Sequence, residues 1–225
     1  MSPVFLLFVS IGTILMGIPL LLMMRHDGIS AIKGVMATIL LTIAGVSGIY
    51  LMFWIENGYF GGLSFFGAVF MVPIFFVPIS YVLRIPYGRL TDICTVGGCV
   101  MLALMKVHCY RSGCCNGRML GSFRFPSHWV ELVTSLLIGV VLIVLFYQSP
   151  QRRGTLYGWY LLLYGSTRFA LNFLRQEWES PQRIPMGTIW SVVAVICGIL
   201  WIRFGIRKKS MRAQQKDVSE ETIHH

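Results

Sequence analysis

The run VFLLFVSIGTILMGIPLLLMM, Val4 to Met24, carries no charge over twenty-one residues. As a helix it would be about 31 Å long, enough to cross a hydrocarbon core of about 30 Å. No basic residue precedes it, and Arg25 and Lys33 follow it. A secretory signal has the opposite polarity. The run therefore reads as a retained membrane helix with its N-terminus outside.

Similar runs recur outward from it, at about residues 34–54, 64–83, 90–108, 130–147, 155–173 and 187–204. The expected fold is an all-α integral membrane protein with seven transmembrane helices. The runs are continuous and not alternating, which argues against a strand barrel. The third contains Pro73 and Pro78, which neighbouring helices would have to accommodate. Composition agrees: 56% of the 225 residues are hydrophobic and only 12% are charged, against about 25% charged in soluble domains. The mean hydropathy is +0.70, and no segment is left for a sizeable soluble domain.

The net charge of +10 belongs to loops and a tail. It fits an anionic lipid surface and not nucleic acid. Arg25, Lys33, Arg84, Arg89, Arg152, Arg153, Arg203, Arg207, Lys208, Lys209, Arg212 and Lys216 all fall on one side of a seven-span arrangement. By the positive-inside rule that side is cytoplasmic, and the C-terminus with it. The division expected is a seven-helix membrane domain over 1–204 and a basic, disordered tail over 205–225. His224 and His225 read as a tag remnant.

Seven basic residues remain on the other side or in outer helix halves: Lys106, Arg111, Arg118, Arg124, Arg168, Arg175 and Arg183. Orientation bias disfavours them there, so another role retains them. Arg168 lies inside the sixth span, and an intramembrane charge marks a functional site by default. Helical spacing puts Tyr164, Arg168, Asn172 and Arg175 on one face. Lys106 and Glu131 close their spans on the same side. Two or three cations with one carboxylate suit an anionic lipid headgroup, because arginine binds phosphate as a fork. The plainer alternative is that Arg168 and Lys106 snorkel or pair with Glu131.

Four stretches carry a resemblance: GGLSFFGA (61–68), MKVHCYRSGCCNGR (105–118), RFPSHWVE (124–131) and YGSTRFALNFLRQ (164–176), with PMGT (185–188) as a weaker fifth. In this order and spacing the chain resembles the prolipoprotein diacylglyceryl transferases. The resemblance implies a plasma-membrane enzyme that moves a diacylglyceryl group from phosphatidylglycerol to a cysteine thiol of a lipoprotein precursor. It also implies a site open to the outer leaflet, with no metal or other cofactor. By motif, Arg168 matches an essential arginine, Tyr164 a motif tyrosine and Gly117 an essential glycine. Glu131 and Arg175 match further motif positions, and Asn172 and Arg118 lie beside them as substrate-binding candidates.

The chain departs from the family pattern at several of these positions. Phe66 stands where the family has histidine, Lys106 where it has arginine, Cys109 where it has asparagine and Cys114 where it has glutamate. His128 replaces a glutamine, and the segment from Gly117 to Arg124 is short. A thiol acceptor needs a base to form its thiolate. With Phe66 unable to serve, His108, His128 and Glu131 are the candidates.

The cluster HCYRSGCCNGR (108–118) stays open between three readings. An oxidising compartment would allow a Cys109–Cys114 or Cys109–Cys115 disulfide. A catalytic thiol would point to acyl or headgroup transfer, because a thioether formed on the enzyme would not turn over. Zinc is the third, although the spacing lacks the paired C-x2-C units of structural sites. Cys94, Cys99 and Cys197 read as packing residues within spans. The alternatives to diacylglyceryl transfer are such a thiol-dependent transferase, or a non-catalytic lipid-binding or redox-sensing membrane protein.

Overall fold

The structure is a computed structural model. It describes residues 3–113, 117–148, 154–175 and 186–223, with side chains as far as residue 206. Cys114, Cys115, Arg152, Arg153 and Arg183 lie outside the described residues. The chain is all-helical: α1 (Pro3–His26), α2 (Ala31–Asn57), α3 (Phe66–Leu83), α4 (Tyr87–Arg111), α5 (Ser127–Gln148), α6 (Leu156–Asn172) and α7 (Met186–Ile223). A two-stranded hairpin, β1 (Met119–Leu120) and β2 (Phe123–Arg124), lies between α4 and α5.

Six of the seven helices are long and apolar enough to cross a membrane. The exception is α6, whose 17 residues give about 25 Å of rise. It also ends at Asn172, so Arg175 is not on the helix as its spacing suggests. Two other boundaries differ from the hydropathy reading. α4 runs three residues beyond 108 to Arg111, and α7 continues past residue 204 to Ile223, helical where composition suggests disorder. Hydropathy marks where apolar residues stop, whereas a helix ends where its backbone bonds do.

The surface is that of a chain solvated by lipid. Ile14, Leu22, Ile74, Val82 and Val140 are each more than half exposed, where a soluble bundle would hide a stripe of such residues. Specificity of packing comes from small residues that let backbones approach. Gly48 and Gly67 join α2 to α3, and a Cβ on Gly67 would strike the Gly48 carbonyl. Gly158 and Gly198 do the same for α6 and α7, where a Cβ on Gly198 would lie 2.8 Å from the Gly158 carbonyl oxygen.

α4 packs against α1, α2, α3, α5 and α6. This central place explains why it carries the buried polar residues Asp92 and Lys106. A carboxylate there must find donors. Asp92 accepts hydrogen bonds from the backbone N–H groups of Gly154 and Leu156, the latter at 3.0 Å. Helix amides at an N-terminus have no partners of their own, and a carboxylate satisfies them while opposing the helix dipole. Asp92 thus fixes where α6 begins along α4. Trp201 of α7 adds a bond from Nε1 to the Gly154 carbonyl at 3.2 Å.

The two prolines of α3 lie inside the helix. Pro73 has no N–H, so the Val69 carbonyl loses its donor. The Tyr157 hydroxyl of α6 donates to that carbonyl at 2.7 Å. The neighbouring-helix compensation expected from the sequence is therefore present, at one of the two prolines.

Candidate functional site

The site is at the Arg111 end of α4. Lys106 comes from α4, Glu131 from the first turns of α5 and Arg168 from the last turn and a half of α6. All three are buried, Lys106 to 2% exposure and Arg168 to 8%. The Lys106 ammonium pairs with Glu131 Oε2, and an Arg168 guanidinium nitrogen donates to Glu131 Oε1. One carboxylate is thus gripped on both oxygens by cations from two other helices. Lys106 Nζ also lies 4.9 Å from the centroid of the Phe65 ring, a cation–π contact. Arg168 therefore does not snorkel outward. It is held inside the bundle.

Arg175 is buried and acts electrostatically on Glu131. Lying beyond the end of α6, it is returned to the cluster by backbone pairing. Gly117 and Arg175 form an antiparallel bridge, and Arg118 N–H donates to the Leu174 carbonyl at 2.8 Å. Phe125 N–H in turn donates to the Arg118 carbonyl at 3.0 Å. The loop after α4, the hairpin and the end of α6 are thereby tied together. Gly117 sits at the knot, where a Cβ would collide with the Phe125 carbonyl. Among the described residues, Glu131 is the carboxylate that meets these cations.

Tyr164 and Asn172 line the same α6 face as Arg168, and both are buried. Tyr164 stacks on Tyr160 with centroids 5.4 Å apart and meets Phe66 edge-on at 6.1 Å. Asn172 Nδ2 makes long hydrogen bonds to Thr188 Oγ1 (3.4 Å) and Ser191 Oγ (3.5 Å) of α7. Its Oδ1 is buried with no hydrogen-bond partner among the described residues, and so is Trp190 Nε1. Such atoms are costly to bury and suit a ligand's polar groups.

The remaining candidates are placed apart from this cluster's bonds. The His108 ring is held edge-on by Phe5 and Phe8 of α1, at 5.5 and 5.4 Å, and makes no hydrogen bond among the described residues. His128 lies against Tyr110 at 5.1 Å. Both Glu131 oxygens are engaged by cations. Arg118 is exposed, and Cys109 is buried at the same end of α4. Among the described residues no three His, Cys, Asp or Glu side chains converge as a metal site would need.

A largely apolar cleft runs along α4 from Thr91 to Met105, next to Lys106. That is about 21 Å of helix. Its walls come from α1, α2, α3, α4 and α6, and include Val9, Leu41, Val69, Leu102 and Tyr160. A charged cluster at one end of an apolar cleft matches a lipid, with its headgroup at the cations and its chains in the cleft.

The sequence reading did not pick out Asp92, Thr188, Ser191 or Phe65. Asp92 carried a usable signal, as an acid inside an apolar run. Thr188 ends the PMGT stretch. Phe65 lies within GGLSFFGA, and Ser191 carries no signal, since a serine in a membrane span is ordinary.

The family model described as prolipoprotein diacylglyceryl transferase matches residues 7–204. Relatives named phosphatidylglycerol–prolipoprotein diacylglyceryl transferase include that of Enterobacter sp. (strain 638), 33% identical over 93 residues, 37% of this chain and 31% of that protein. That of Mannheimia succiniciproducens is 32% identical over 93 residues, 38% of this chain and 35% of that protein. That of Aeromonas hydrophila is 38% identical over 84 residues, 34% of this chain and 31% of that protein. The chain therefore spans about a third of the length of these relatives.

Proposed function

We propose, because the chain belongs to the prolipoprotein diacylglyceryl transferase family, that it moves a diacylglyceryl group from phosphatidylglycerol to a cysteine thiol of a lipoprotein precursor. In this reading the acceptor sulfur bonds to a glyceryl carbon as that carbon's bond to the phosphate ester oxygen breaks. Glycerol phosphate leaves with the electron pair, and the thiol proton passes to a base.

The observation that carries the proposal is the buried Lys106–Glu131–Arg168 cluster at the end of the apolar cleft. Negative charge builds on the departing phosphate in the transition state. Fixed cations aimed at that point stabilise it without reorganising. Arg168 and Lys106 fill this role, Glu131 holds both in place, and Arg175 adds field. Tyr164, Asn172, Gly117 and Arg118 bind the substrate around them. His108 is the base we favour, since histidine is the usual residue for that role and Phe66 carries no titratable group.

The orientation in this proposal follows the charge count. The N-terminus and the site face outward, the C-terminal tail is cytoplasmic, and the protein sits in the plasma membrane. Phosphatidylglycerol enters laterally from the outer leaflet.

The test uses the purified chain with phosphatidylglycerol and a lipoprotein reporter, scored by the reporter's gain in mass. Arg168→Ala should abolish the gain while the protein still inserts and folds. Normal transfer by that variant would sink the proposal. A second reading, a lipid binder without transfer, is favoured by Phe66 alone. Its ring packs between Phe70 and Tyr164, at 6.1 Å from each. Under that reading the wild-type chain binds the lipid and the reporter gains no mass.

A further inference from the structure

At the opposite end of the bundle, two loops line a second, open and polar pocket. It is lined by Lys33 at the start of α2, by Arg84 after α3 and by Arg89 at the start of α4, with Asp27, Ser30 and Pro86 among the rest. Arg89 and Lys106 are seventeen residues apart on α4, about 25 Å along the helix. The pocket is therefore separate from the site described above. On the orientation proposed, it opens to the cytoplasmic leaflet.

Its one carboxylate is committed. Asp27 pairs with Arg89 at 3.2 Å and lies 3.4 Å from His26 Nδ1. With Lys33 and Arg84 added, the lining keeps a net positive charge. The N-terminus of α2 also meets the pocket here. Its N-cap residue, Ser30, makes no side-chain capping bond, and the first turn of α2 holds no acid. The helix dipole therefore adds to the field of the cations. Arg84 is the one non-glycine residue with a positive φ among the described residues, at 52°. Glycine would suit that backbone better. Topology alone explains basic residues in these loops. It does not require them to share one concavity, nor an arginine to hold a left-handed backbone.

We infer that this pocket binds a phosphate group, either the headgroup of an anionic phospholipid in the cytoplasmic leaflet or a soluble phosphate anion. Basic pockets between membrane helices on that face take lipid headgroups by the same charge matching. Lys33 and Arg84 supply the contacts, Arg89 is shared with Asp27, and Ser30 and the α2 amides complete the lining.

The experiment measures the thermal midpoint of the full chain in neutral detergent, with inorganic phosphate, with short-chain phosphatidic acid, or with short-chain phosphatidylcholine as the control. A ligand that binds only the folded state raises the midpoint. Both anionic probes should raise it in the wild type and in Arg168→Ala, which separates this pocket from the transfer site. In the Arg168→Ala background the rise should vanish on adding Lys33→Gln/Arg84→Gly, whose second change also relieves the backbone. It should persist in Arg25→Gln/Arg203→Gln, which removes the same charge outside the pocket. A rise with phosphatidic acid alone assigns the site to lipid, and a rise with phosphate alone assigns it to a soluble anion. No rise with either probe, an equal rise in the Lys33/Arg84 variant, or an equal rise with phosphatidylcholine would overturn the inference.

Discussion

Arg168 of α6 and Glu131 of α5 form a buried ion pair thirty-seven residues apart in sequence. Lys106 completes it from a third helix. Both side chains are buried, so each residue depends on the others.

Glu131→Gln should therefore be the most damaging single change to stability. It leaves Lys106 and Arg168 as uncompensated buried cations, and breaking such a pair costs about 3–5 kcal/mol. Lys106→Met/Glu131→Gln should recover part of that loss. Unfolding midpoints in detergent for the two single variants and the double variant give the coupling directly. A strictly additive double variant would show that the pair does not interact.

Arg168→Lys keeps the charge and loses the fork. Transfer to a lipoprotein reporter should fall about 100-fold or more, the scale for removing one aimed donor at a developing anion. The thermal midpoint should move much less, because Glu131 retains a cation at each oxygen.

His108→Phe preserves the packing against Phe5 and Phe8 and removes the imidazole. If His108 takes the thiol proton, transfer should drop by roughly 100-fold or more, the usual scale for a general base. His128→Gln should change little. The reverse pattern would move the base to His128.

Gly117→Ala should disturb the site without touching its charges. The added methyl group meets the Phe125 carbonyl, and overpacking of this kind costs about 1–3 kcal/mol. The bridge to Arg175 would loosen, so transfer should fall in step with stability. Wild-type behaviour would show that the knot is unimportant.

Asp92→Asn should act on α6 from its far end. Asn still offers one acceptor to Gly154 and Leu156 but lacks the charge that opposes the helix dipole. The expected cost is about 1 kcal/mol, read as a lower midpoint with a reduced transfer rate.

The amino-acid sequence by itself determined the helical membrane fold, since uninterrupted apolar runs admit no other way to satisfy the backbone in lipid. It also determined the identity of the site's charges. Lys106, Glu131 and Arg168 are conspicuous because ionised groups are rare at that depth, and Tyr164 and Asn172 follow from helical spacing. What only the tertiary structure decided is which of these groups meet. Arg175 leaves its helix and returns through backbone bonds to Gly117, a nonlocal pairing that no periodicity encodes. His108 turns to Phe5 and Phe8 instead of sharing the bonds of Glu131, because α1 packs on that face of α4. Asp92 takes on the capping of α6 only because α4 runs through the centre of the bundle. Local pattern specifies what each helix must bury, and contact between distant helices settles against what.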